Sequence, residues 1–126
     1  SIYLKSDGIL ISTSGGSTAY SYSAGGPIVD PSIDSVVITP LAPFSKFPRS
    51  IVLPSSTDIN IDVDAPEYSK SDSNVNFDIF FDGVLVNNFN KVTTSLFKIT
   101  KKDRTVKILG LDNQVNVNEF LSQILR

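Results

Sequence analysis

The chain is 126 residues long, 40% apolar and 19% charged, enough for one packed domain and too apolar for a disordered segment. It has no cysteine and no histidine, which excludes a disulfide framework, a thiolate nucleophile, a Ser-His-Asp triad, a His-ligated metal and an imidazole base. A net charge of −2 gives no basic field for a nucleic-acid backbone, and no apolar run reaches the roughly 18–20 residues of a membrane-spanning helix. Valine, isoleucine and threonine number 33 against 4 alanines, and β-branched side chains fit a pleated sheet better than a helix. The expectation is a mainly β, soluble, intracellular protein. With no methionine to start on, the chain reads as processed or cut from something larger.

The first apolar stretch, residues 2–12, reads as a strand interrupted at Asp7-Gly8 and resumed over residues 9–11. Residues 12–26 then hold only small side chains and two tyrosines, ending in Gly25-Gly26-Pro27. That ending favours a folded turn–helix–turn over a flexible linker. Ser17 is expected to cap a short helix over residues 18–24, and Gly25 to close it in the left-handed conformation. Strands follow at 36–38 and 51–53, each ending at a proline, with an ordered loop over 41–50 between them. Ile59, Ile61 and Val63 alternate with polar residues, as do Val75, Phe77, Ile79 and Phe81. A turn is expected over 66–74, and Asp82-Gly83 makes a hairpin turn into a strand over 84–86. Residues 92–100 and 105–109 read as a further pair of strands around a charged turn at 101–104. The tail, 117–126, fits strand or helix, with Phe120, Leu121, Ile124 and Leu125 at helical spacing. Strands recurring about every ten residues suggest an antiparallel β-sandwich-like single domain or compact barrel, with a short helix after the glycine-rich turn.

The run Asp7-Gly8-Ile9-Leu10-Ile11-Ser12-Thr13-Ser14-Gly15-Gly16-Ser17-Thr18-Ala19-Tyr20-Ser21-Tyr22-Ser23-Ala24-Gly25-Gly26-Pro27-Ile28 resembles the NAD kinase family. Asp30-Pro31-Ser32, Ile38-Thr39-Pro40-Leu41-Ala42-Pro43, Arg49-Ser50-Ile51-Val52-Leu53-Pro54 and Phe81-Asp82-Gly83 extend the resemblance to Gly83; beyond it only the β pattern fits. The family's Gly-Gly-Asp-Gly motif for ATP is absent, and Asn118-Glu119 stands at the wrong end of the chain for its Asn-Glu pair. The resemblance therefore implies the C-terminal, NAD-binding β domain of a kinase, residues 1–126, whose N-terminal α/β domain lies elsewhere in the same polypeptide. The implied reaction is phosphorylation of the adenosine ribose 2′-hydroxyl of NAD by ATP, or by polyphosphate, to give NADP. Mg2+ or another divalent metal would be held with ATP. A homodimer or homotetramer, a cytoplasmic location, no nucleic acid, no membrane and no activity in this chain alone complete the implied picture.

Lys5, Asp7, Thr18, Ala19, Tyr20, Ser21, Tyr22, Ser23 and Ala42 fall on the family's dinucleotide-contacting positions. Their chemistry suits the task. Small residues let backbone approach a flat ring, the hydroxyls of Ser17, Thr18, Ser21 and Ser23 can donate and accept, and Tyr20 adds stacking area with a polar tip. A helix starting near Ser17 would aim amides at phosphate or ribose oxygens. Apart from the resemblance, Tyr20 and Tyr22 read as core or rim aromatics, Tyr22 above all, Asp7 reads as a plain turn residue, and Lys5 equally as a solvated edge charge. Asp58, Asp62 and Asp64 read as a solvated strand face rather than a metal site. Departures from the family pattern are Ser14-Gly15 for proline and threonine, Phe44 for histidine, and Val84 for glutamine. A related lipid or sphingoid kinase, or a non-catalytic nucleotide-binding module, are the alternative readings.

Overall fold

The computed structural model describes residues 1–44, 49–63, 75–92 and 95–102. The chain is mainly β, with antiparallel sheets and little helix. The described residues fall into two compact units, those within 1–57 with 101–102, and those within 58–100.

In the first unit three strands form one sheet in the order β1 (Gly8–Thr13), β2 (Ser35–Leu41), β3 (Ile51–Pro54). Both pairings are antiparallel, with Ile11 opposite Ile38 and Ile38 opposite Ile51. One face of β2 carries Ser35, Val37 and Thr39, all buried, and Val37 is the fully buried apolar residue at its middle. Strand β2 runs through Pro40 to Leu41 rather than stopping at Thr39. The physical reason lies in the register: β3 pairs only with residues 35–38, so at Pro40 one side of β2 has no ladder to complete and a missing N–H is tolerated. The strand expected from Ile2 does not form, because regular pairing begins only at Gly8.

Between β1 and β2 the glycine-rich segment folds as a 3-10 turn, Gly15–Thr18, followed by the single-turn helix α1, Tyr20–Ser23. The helix ends in a Schellman closure. The Gly26 N–H donates to Ser21 O at 2.8 Å and the Gly25 N–H to Tyr22 O at 2.9 Å, with Gly25 at φ +86°, as the sequence indicated. Asp30-Pro31-Ser32 forms the turn that leads towards β2: Ile33 N–H donates to Asp30 O at 2.9 Å, and Ser32 N–H to the Asp30 carboxylate at 2.8 Å. The Ser32 N–H, and after it the Ser32 hydroxyl, hold the Asp30 carboxyl below the ordinary aspartate range.

In the second unit β4 (Ile59–Val63) pairs antiparallel with β7 (Ser95–Ile99), and β5 (Val75–Phe81) with β6 (Val84–Val92). Phe77 of β5 meets Phe97 of β7 edge-on, ring centroids 5.3 Å apart, which ties the two ribbons together. Asp82 at φ +48° and Gly83 at φ +80° make the expected two-residue turn of the mirror-image type. Strand β6 is longer than the expected 84–86. The pairing of 92–100 with 105–109, the turn at 66–74 and the tail fall outside the described residues, and β7 finds its partner in β4.

Candidate functional site

The glycine-rich segment has an inner and an outer side. Ser14, Ser17 and Ser21 are buried, Ser17 completely and Ser21 to 1% exposure. The Ser17 hydroxyl accepts from Val29 N–H at 3.0 Å and donates to Val29 O at 3.3 Å, and Ser21 Oγ lies 2.9 Å from Thr39 Oγ1 on β2. Both hydroxyls are thus bonded inward. Ser17 is not a helix cap: the N-cap position is Ala19, with no side-chain bond, and the 3-10 bonds Ser17 N–H to Ser14 O and Ala19 N–H to Gly16 O occupy the expected first turn. The four-residue helix is also too short to gather a macrodipole for anion binding.

The outer side carries the other predicted residues. Ala19, Tyr20, Tyr22 and Ser23 are exposed and Thr18 is half-buried. Tyr22 is 45% exposed, which places it outside the core. Of the four hydroxyls expected to face a ligand, those of Thr18 and Ser23 remain outward; Ser21 stands at its predicted position with its hydroxyl committed to Thr39.

Lys5, Asp7 and Ala42 meet where β1 begins and β2 ends. Asp7 N–H donates to Leu41 O at 3.0 Å and Phe44 N–H to Lys5 O at 2.8 Å, so the ladder brings the three into one backbone neighbourhood. All three are exposed. Ala42 adopts φ +43°, an unusual conformation for a residue with a Cβ, and it turns the chain out of β2. The Lys5 ammonium sits 5.2 Å from the centroid of the exposed Phe44 ring, a cation–π contact at the position where the resemblance led one to expect histidine.

A shallow cleft of about 180 Å³ lies nearby, lined by Ala24, Gly25, Pro40, Pro43, Arg49 and Ser50 and by none of the predicted site residues. It follows directly on Ser23 along the chain, and Pro40 and Pro43 bracket Ala42. Sequence reasoning did not name Thr39, Phe44 or Arg49 as site residues, although Thr39 and Arg49 stand in the runs that carry the resemblance and Phe44 was marked as a departure from it; that Thr39 lies under α1 appears only from the pairing of elements. Away from the site, Asp58 pairs with Lys98 at 2.8 Å, both solvated, and among the described residues no group of three or more acidic side chains gathers to hold a metal ion. Lys101 does more than sit in a charged turn. Its ammonium donates to both Asp34 carboxylate oxygens at 2.9 and 2.7 Å and to Ser55 Oγ at 3.2 Å, which holds the Asp34 carboxyl below the ordinary aspartate range.

Residues 3–108 match the family described as the ATP-NAD kinase C-terminal domain. An NAD kinase of Aeropyrum pernix is 52% identical over 66 residues, covering 52% of this chain and 23% of that protein. An NAD kinase of Flavobacterium johnsoniae is 33% identical over 130 aligned positions, covering 98% of this chain and 40% of that protein. The crystal structure of yeast NADH kinase complexed with NADH is similar at a TM-score of 0.62 and 32% identity, covering 79% of this chain and 26% of that one. The chain therefore spans less than half the length of these relatives. Among the described residues no helix is long and apolar enough to cross a membrane.

Proposed function

The chain belongs to the ATP-NAD kinase C-terminal domain family, and from that premise we propose that it is the dinucleotide-binding platform of an enzyme that phosphorylates NAD. The observation that carries this reading is the division of the glycine-rich segment into a buried, hydroxyl-anchored side and an exposed side. The exposed side presents Thr18, Ala19, Tyr20 and Ser23 to base and ribose: a flat ring can lie on Ala19 and Tyr20, and the two hydroxyls can meet ribose oxygens. Lys5, Asp7 and Ala42 form the second contact region, Lys5 for a phosphate and Asp7 for a carboxamide or ribose hydroxyl. The yeast relative was solved with NADH, which supports a dinucleotide of this class as the ligand here.

In the proposed reaction the ribose 2′-oxygen attacks the terminal phosphorus of ATP, the bond to the bridging oxygen breaks, ADP leaves and the hydroxyl proton passes to a base. ATP is the proposed donor, with polyphosphate the alternative. The base and the ATP motif are assigned to an N-terminal domain of the same polypeptide, so this chain alone is expected to be inactive. A divalent ion would be held by the donor's phosphates. Homo-oligomeric assembly and a cytoplasmic location belong to the same proposal.

The test is made on the full-length protein that carries this chain, assayed for NADP formed from NAD and ATP, with lipid and sphingoid substrates in parallel. NADP formation supports the reading; turnover of a lipid alone, or of nothing, overturns it. Titration of NADP into isotopically labelled protein then maps the platform. Amide shifts at Lys5, Asp7 and residues 16–23 are expected, and shifts confined elsewhere would overturn the assignment of the site.

A further inference from the structure

Ser21 and Thr39 are each 1% exposed, and their hydroxyl oxygens are 2.9 Å apart. The Ser21 carbonyl is held as well, accepting from Gly26 N–H at 2.8 Å. Gly26 is buried against the same pair: a Cβ there would stand 2.7 Å from both Ser21 O and Thr39 Oγ1. The middle of α1 therefore lies on β2 at a separation that only hydroxyls and a bare backbone permit. An alanine facing a valine would fill much the same volume without burying two polar groups, and replacing both members of a hydrogen-bonded pair by apolar groups of like shape is close to neutral for stability. What the hydroxyl pair adds over an apolar pair is direction.

We propose that Ser21 and Thr39 are positioning residues, whose buried hydroxyl pair fixes the height and rotation of α1 above β2 and so aims Tyr20 and Ser23 at the dinucleotide. This rests on the reading of the glycine-rich segment as a dinucleotide platform. It separates Ser21 from its neighbours: Thr18, Tyr20 and Ser23 touch ligand, whereas Ser21 acts through them, since its hydroxyl is turned towards the sheet. Thr39 enters the site by the same route without approaching the ligand.

The test compares Thr39→Val, Ser21→Ala, the double variant Ser21→Ala/Thr39→Val, and Thr39→Ser in the full-length protein. Each single variant leaves one buried hydroxyl without its partner and lowers the unfolding temperature; the double variant leaves none and recovers most of it. The KM for NAD is expected to rise about tenfold in the singles and to stay raised in the double, corresponding to one lost oriented hydrogen bond. The KM for ATP stays at its wild-type value, and Thr39→Ser, which keeps the hydroxyl, restores the KM for NAD. A double variant with wild-type KM would refute the proposal, because packing alone would then suffice. So would a KM rise in Ser21→Ala that Thr39→Val does not share, which marks Ser21 as a direct contact. Amide spectra of ligand-free Thr39→Val, whose sequence over residues 18–23 is untouched, decide independently of catalysis: displaced resonances there support positioning, and unchanged ones overturn it. A wild-type protein that makes no NADP refutes the kinase reading and leaves those spectra to judge the hydroxyl pair.

Discussion

Replacing Gly26 by alanine tests how closely α1 is seated on the sheet. The new Cβ would lie 2.7 Å from Ser21 O and from Thr39 Oγ1, and closer still to Ser21 Oγ. None of these is the free end of a flexible side chain: one is backbone, and the hydroxyls are bonded to each other. Relief requires lifting α1, which breaks the Gly26 N–H bond to Ser21 O and the Ser21–Thr39 bond, each worth about 1 kcal/mol net. Residual overpacking adds about 1–3 kcal/mol, while the lower chain entropy of unfolded alanine offsets about 0.4–1 kcal/mol. The expected loss is about 2–5 kcal/mol, a large share of the about 5–15 kcal/mol that holds a typical protein folded. Urea unfolding followed by circular dichroism reads the total, and hydrogen exchange at the residue 26 amide reads the local opening. Gly25→Ala is the control. Its φ is +86° with nothing within 4 Å of a new Cβ, so it bears only the left-handed backbone cost, about 1–2 kcal/mol. A Gly26→Ala protein as stable as wild type, or less damaged than Gly25→Ala, would refute the close seating.

Three further expectations follow from exposed features. Asp34 titrates below an ordinary aspartate because of Lys101 and Ser55; its contribution to stability is therefore complete above about pH 4, the unfolded value, and is lost as pH falls through the lower folded value. Carbon-detected titration should show the Asp34 midpoint rising towards the ordinary value in Lys101→Ala, and an unmoved midpoint would remove Lys101 as the cause. Gly83→Ala, at φ +80° with open space around it, should weaken the β5–β6 hairpin by about 1 kcal/mol, seen as faster amide exchange in both strands and absent if the turn can change type freely. Tyr20→Ala, at a side chain 63% exposed, should leave stability within about 0.5 kcal/mol of wild type yet raise the KM for NAD several-fold; an unchanged KM would take Tyr20 off the platform.

Features set by a few neighbouring residues were legible in the sequence. Asp82-Gly83 announced its turn because two successive positive φ values select those residue types, and Gly25 announced the end of α1 for the same reason. Alternation at Ile59, Ile61 and Val63 located β4. What failed was whatever depended on a distant partner. Ser17 has the chemistry of a helix cap, but Val29, twelve residues on, claims its hydroxyl from the side, and the tight turn at Gly15–Thr18 postpones the helix to Tyr20. Two serines on either side of a tyrosine give no local sign of which faces inward, so Ser21 and Ser23 were indistinguishable until β2 was laid beneath them. Strand β7 is plain from its β-branched and aromatic residues, yet its pairing with β4, some forty residues earlier, has no signature in the chain between.

The serines and threonine beneath the glycine-rich segment also have a thermodynamic consequence. Releasing apolar surface to water raises heat capacity, by about 0.45 cal/K/mol per Å², whereas releasing polar surface lowers it, by about 0.26. A turn anchored through the hydroxyls of Ser14, Ser17, Ser21 and Thr39 releases polar as well as apolar surface when it opens, so the two contributions partly offset each other. Its opening free energy is then expected to curve less with temperature than that of a hydrophobically docked segment, which loosens in the cold. The surface it presents keeps its shape on cooling, when a turn resting on leucines and phenylalanines would begin to drift.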